Sequence, residues 1–142
     1  MSRQIKNIIT ITFFLICIGL INFAGQNIDI EIRGINAFTF ILIVAVLLQI
    51  IFFIPSFLLK TEKYYDLVGS LTYVTTVSLA YFAVENKTMI DSIIYFYVMV
   101  WASRLGIYLF RRVRNDGKDV RFEKPKRHFF WFLQYWMGQA LW

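Results

Sequence analysis

The residues best suited to chemistry lie between Tyr97 and Arg121. Read as a helix turning about 100° per residue, Tyr97, Trp101, Arg104, Tyr108 and Arg111 fall on one stripe. A guanidinium presents a planar fork of donors that matches phosphate or carboxylate oxygens, and a phenol can hand over a proton. One reading of the stripe is therefore the wall of an anion pocket, with Tyr108 as candidate proton donor and Tyr97 as a second. The other is an arginine buried against helix carbonyls and ringed by interfacial aromatics. Arg104 lies about two turns inside an apolar segment, where a charge costs about 3 kcal/mol on insertion scales. It is thus expected to face a bundle interior or a wet cavity rather than lipid.

Downstream the chain runs through Arg111, Arg112 and Arg114 into Gly117-Lys118-Asp119-Val120-Arg121-Phe122. Asp119 and Arg121, two apart after a glycine, suggest a defined turn. Arg111, Arg112, Lys118 and Arg121 could hold a phosphorylated cofactor. Alternatively, the whole of 111–127 is a basic loop touching anionic lipid headgroups, worth about 1 kcal/mol per basic residue near the surface. Asp66, in Tyr64-Tyr65-Asp66, is either a helix cap or a partner for one of these arginines. Cys17 is the sole cysteine and His128 the sole histidine, so no Cys/His metal set exists. No phosphate-loop, dinucleotide, zinc-protease or nucleophile-elbow motif occurs.

The elements that must position these residues are long apolar blocks. Hydrophobic residues make up 58% of the 142, and aromatics 19%, in runs rather than scattered as in a soluble domain. The expected architecture is all-α: a single polytopic transmembrane domain with spans at about 8–24, 35–59, 67–84 and 90–110, and an incomplete fifth at 128–142. Residues 26–34 read as a polar loop and 60–66 as a short connection between antiparallel neighbours. Gly69, Thr72, Thr76 and Ala80 recur at helical spacing, a small-residue stripe suited to close helix packing. The positions before a cut after Ala24 lack the small-x-small pattern, so the first block reads as an uncleaved span. The net charge of +6 collects ahead of the first block and in 111–127, which flank alternate blocks. That excludes a nucleic-acid footprint and puts the amino terminus and the basic loop in the cytoplasm.

Thr61-Glu62-Lys63-Tyr64-Tyr65-Asp66-Leu67-Val68-Gly69-Ser70-Leu71-Thr72-Tyr73, the arrangement WASRLGIYLFRRVRNDGKDVRF at 101–122 and the following WFLQYWMGQALW together resemble the uncharacterised bacterial membrane branch of the steroid 5-alpha-reductase superfamily. The resemblance implies an inner-membrane helical enzyme that reduces a carbon–carbon double bond with NADPH, in a lipid-like substrate (steroid, enoyl or isoprenoid). Matched position by position, it points to Asp66, Arg104, Tyr108, Arg111, Gly117, Asp119 and Arg121. Arg104, Arg111 and Arg121 would meet cofactor or substrate anions. Members of that superfamily continue past the equivalent of Trp142, so the chain is expected to be an amino-terminal piece, inactive alone. Two rivals stand beside this reading. One is a membrane methyltransferase of the isoprenylcysteine type using S-adenosylmethionine; the other is a non-catalytic protein whose basic loop binds lipid.

Overall fold

The structure is a computed structural model that describes residues 2–117 and 119–142. Its helices are α1 (Arg3–Ala24), α2 (Ala37–Leu58), α3 (Tyr65–Ala83), α4 (Met89–Asp116) and α5 (Phe129–Leu141). A two-stranded antiparallel hairpin, β1 (Glu31–Ile32) and β2 (Ile35–Asn36), joins α1 to α2. Short 3-10 turns fill much of the segment between α4 and α5.

Three helices, α1, α2 and α4, are long and apolar enough to cross a bilayer, and the chain is an integral membrane protein. By that standard of length and apolar content α3 is not among them, so the expected count of four is not supported. Ser70, Thr72, Thr75, Thr76 and Ser78 lower its apolar content. At 13 residues, α5 is shorter than the roughly 20 a span needs.

Helix ends follow local chemistry more closely than apolar blocks do. The Ser2 hydroxyl accepts from the Ile5 N–H at 3.4 Å, so α1 starts at Arg3 rather than Ile8. Thr88 and Asp91 form a reciprocal capping box that starts α4. That helix then continues six residues past Phe110, because arginines favour helix, and stops where Gly117 takes φ 76° in the left-handed region. The polar stretch expected as a loop is instead pinned by a tight turn, with Arg33 at φ 55° and Gly34 at φ 78°, the positive pair that two-residue hairpins favour.

α3 lies between α2 and α4 and uses opposite faces for them. Toward α4, the Ser70 hydroxyl donates to the Ala102 carbonyl at 2.6 Å. A Cβ on Gly106 would come within 2.4 Å of Ser70. Toward α2 and α5, Gly69 accommodates the Gln139 side chain, and Gln49 donates to the Thr72 hydroxyl at 2.9 Å. Thr72 and Thr76 also bond back to the Val68 and Thr72 carbonyls, as hydroxyls inside a helix commonly do. The aromatic core gathers Phe53, Val68, Phe122, Phe132 and Trp136 where α2, α3 and α5 meet the α4–α5 segment.

Candidate functional site

Two acidic residues and two arginines form the polar centre of this end of the molecule. Asp66 stands in the first turn of α3 and pairs with Arg121 at 3.3 Å and Arg112 at 3.9 Å. Asp119 pairs with Arg112 at 3.8 Å and grips the Arg121 guanidinium through both of its oxygens. Asp119 also caps its own turn by accepting the Arg121 backbone N–H at 3.0 Å. The side chain of Asp66 makes no cap bond to its helix. Of the two roles open to Asp66 in the sequence, pairing across the loops is therefore the one observed.

The two carboxylates sit in opposed electrostatic situations. Burial pushes the Asp66 carboxyl above its usual range, more than Arg121 and Arg112 pull it down. Burial also raises Asp119, but there the side-chain and backbone hydrogen bonds from Arg121 prevail and hold it below the usual range. Arg121 is raised in turn, chiefly by its hydrogen bond to Asp119. Burial, with help from Asp66, raises the Tyr65 phenol strongly. Its neutral hydroxyl donates to the Tyr135 carbonyl at 2.9 Å.

A second anchor, absent from the residues singled out in the sequence, is Glu62. It is only 4% exposed, accepts the Asp119 N–H at 3.1 Å and pairs with Lys126 Nζ at 2.6 Å. Below it Phe122, 1% exposed, inserts among Tyr65, Phe132 and Tyr135 with ring centroids 4.7 to 5.9 Å away. The segment after α4 is therefore clasped to the α2–α3 connection by charge and by an aromatic plug. The sequence signal for Glu62 was slight: a glutamate one turn before Asp66 in a seven-residue connection.

The α4 stripe sits differently from its expectation. Tyr97, Trp101, Arg104, Tyr108 and Arg111 are all exposed. Tyr97, Arg104, Tyr108 and Arg111 lie on the side of α4 away from α3, and Trp101 at its flank, because the small residues Ala102 and Gly106 claim the packed face. Arg104 accordingly faces outward rather than into the bundle formed by the described residues. Trp101 packs edge-on against Tyr73 at 5.2 Å. Farther along, Arg104, Tyr108, Arg111, Arg112, Asn115 and Asp116 line an open groove of about 530 Å³. Arg104 and Arg111 form no ion pair with any described residue, whereas Arg112 borders both the groove and the clasp. Structure thus brings Arg104, Tyr108 and Arg111 together, and separately Asp66, Asp119 and Arg121. Tyr97 lies off the groove, Gly117 ends α4 beside it, and Lys118 falls outside the described residues. Among the described residues no group of His, Cys, Asp and Glu could hold a metal ion.

No curated protein and no solved structure matches the chain. Residues 52–142 match the family described as "Protein of unknown function (DUF1295)". The match takes in more than half of the chain, including the whole clasp and the α4 groove, and the chain belongs to the DUF1295 family.

Proposed function

We propose that the chain is part of a membrane reductase that saturates a carbon–carbon double bond in a lipid-like substrate with NADPH. The observation that carries this reading is a division of labour among the arginines. Arg112 and Arg121 are neutralised by Asp66 and Asp119, while Arg104 and Arg111 line the adjoining groove with Asp116 and form no ion pair with it or with any other described residue. Two guanidinium groups about two turns apart on one helical face suit a phosphorylated ligand. Arg104 and Arg111 would hold the phosphates of NADPH, and the Asp66–Arg121–Asp119 clasp would keep Gly117 and the end of α4 in place.

When bound, that cofactor supplies a hydride. In an alkene conjugated to a carbonyl, uptake of that hydride at the β-carbon would leave negative charge on the carbonyl oxygen as an enolate. The Tyr108 hydroxyl, in the same groove, would donate the proton that the α-carbon takes up, and the tyrosinate would recover a proton from water. In this reading the amino terminus and the basic segment face the cytoplasm of a bacterial inner membrane, and α3 crosses as a fourth span from Leu67 onward.

The test is NADPH titration of the chain in detergent free of anionic lipid. Arg104→Ala and Arg111→Ala should each weaken binding at least about tenfold, since each removes a charge-assisted contact. Binding of S-adenosylmethionine with indifference to NADPH would establish the methyltransferase reading instead. Loss that follows only total charge and ionic strength would reduce the groove to a lipid-facing basic surface.

A further inference from the structure

We propose that a second groove, between the amino-terminal ends of α1 and α5, binds the phosphate headgroup of an anionic lipid. It measures about 500 Å³, and its walls include Arg3, Asn7, Arg127, His128, Phe130 and Trp131. No aspartate or glutamate lines it. Arg3, Arg127 and His128 make no ion pair with a described residue. The Arg3 guanidinium instead lies 4.6 Å over the Trp131 ring, which stacks with the His128 imidazole at 5.8 Å. The cations are oriented, but their charge is not met.

Two further observations point to an occupant. Asn7 is only 8% exposed and lines the groove, yet its side-chain amide makes no hydrogen bond to any described residue. That amide is therefore available to a ligand oxygen seated in the groove. The start of α5 is equally unsatisfied. His128 occupies its cap position without a side-chain cap bond. Among the described residues the Phe129, Phe130 and Trp131 N–H groups have no acceptor, the first accepting bond of the helix being Phe132 N–H to the His128 carbonyl. Free N–H groups and the positive end of the helix dipole favour an anion there.

The groove's aromatic rim selects the source of that anion. Phe129 and Phe130 are 45% and 40% exposed beside Trp131, at the polar ends of helices whose following turns are apolar. Aromatic rings in that position sit at headgroup level in a bilayer. A lipid phosphate would meet the arginines and the N–H groups while its chains ran along α1, whereas soluble phosphate would gain nothing from the rim.

The experiment measures binding of dihexanoyl phosphatidic acid to the purified chain in neutral detergent. The variants are Arg3→Gln, Arg127→Gln and Asn7→Leu, with Arg114→Gln as a charge-matched control outside the groove. The first three should each weaken binding about tenfold and the control less than twofold. Arg127 is exposed, so its variant tests the site even if one of the others fails to fold. An equal loss in Arg114→Gln, or none in Asn7→Leu, would show diffuse charge attraction and overturn the site. Inorganic phosphate binding as tightly as the lipid would overturn its assignment to a headgroup.

Discussion

Glu62 offers the sharpest test of how the segment after α4 is held. Replacing it with alanine removes the partner of Lys126 at 2.6 Å and the acceptor of the Asp119 N–H at 3.1 Å. Hydrogen bonds to charged groups contribute about 1.5–3 kcal/mol each, and breaking one side of a buried pair costs about 3–5 kcal/mol. These overlap rather than add. Because the Lys126 side chain is 20% exposed and can turn toward water, about 3 kcal/mol is the reasoned loss for Glu62→Ala. Glu62→Gln keeps an acceptor for Asp119 and should cost about 1–2 kcal/mol. The assay is amide hydrogen exchange across residues 119–128, which reports local opening. At about 1.4 kcal/mol per tenfold, Glu62→Ala should lower protection there about a hundredfold and leave α1 and α2 unchanged. A fall of less than about threefold would show that the Phe122 plug alone holds the segment. An equal fall in α1 would show that the damage is global and that no separate clasp exists.

Three further outcomes follow from the packing and the charges. Gly106→Ala should destabilise the fold by about 2 kcal/mol in thermal unfolding, because its Cβ meets Ser70 at 2.4 Å in a seam with little room to yield. Gly69→Ala should cost about half as much, since the Gln139 side-chain end it meets can swing away. Gln49→Leu should cost less than about 1 kcal/mol, because interhelical bonds in membranes average about 0.6 kcal/mol and Gln49 Oε1 is buried without a partner among the described residues. Gln49→Ala should cost about 2 kcal/mol or more by leaving a cavity. On acidification, infrared difference titration should show Asp66 protonating before Asp119. Asp119, lowered when folded, contributes stability that is present above its unfolded value of about 3.9 and is lost as pH falls through the folded value. Asp66, raised when folded, opposes stability while ionised, and that opposition is relieved as pH falls through its higher folded value. The reverse order of protonation would refute this account of the clasp.

Much of the fold was legible because apolar blocks and their interruptions carry it. The all-α membrane architecture and the approximate helices came from runs of hydrophobic residues, and the pairing of Asp66 came from assigning both connections to one face. What escaped depends on information that periodicity does not hold. The outward turn of the Arg104 stripe was not readable, because amphipathic spacing tells which residues share a face, not which face a neighbour takes. Ala102 and Gly106 decided that by allowing the closer approach. The extent of α4 was missed because its last turns are polar, and a search for apolar length stops at Phe110. Glu62 was missed because a charged residue in a short connection ordinarily faces water; Lys126, 64 positions away, and the Asp119 N–H make its burial tolerable. The α1–α5 groove joins residues from the two ends of the chain, each ordinary in its own segment.

The clasp also separates two quantities that a count of basic residues merges. During insertion the chain is unfolded beyond the membrane, and the full set of arginines and lysines between Arg111 and Arg127 acts on orientation. Once folded, Arg112, Arg121 and Lys126 are matched by Asp66, Asp119 and Glu62, acidic residues drawn partly from another connection. The charge that steers biogenesis is therefore larger than the charge the mature surface presents. A substitution such as Glu62→Gln would leave the topogenic signal almost untouched while making the finished protein more electropositive.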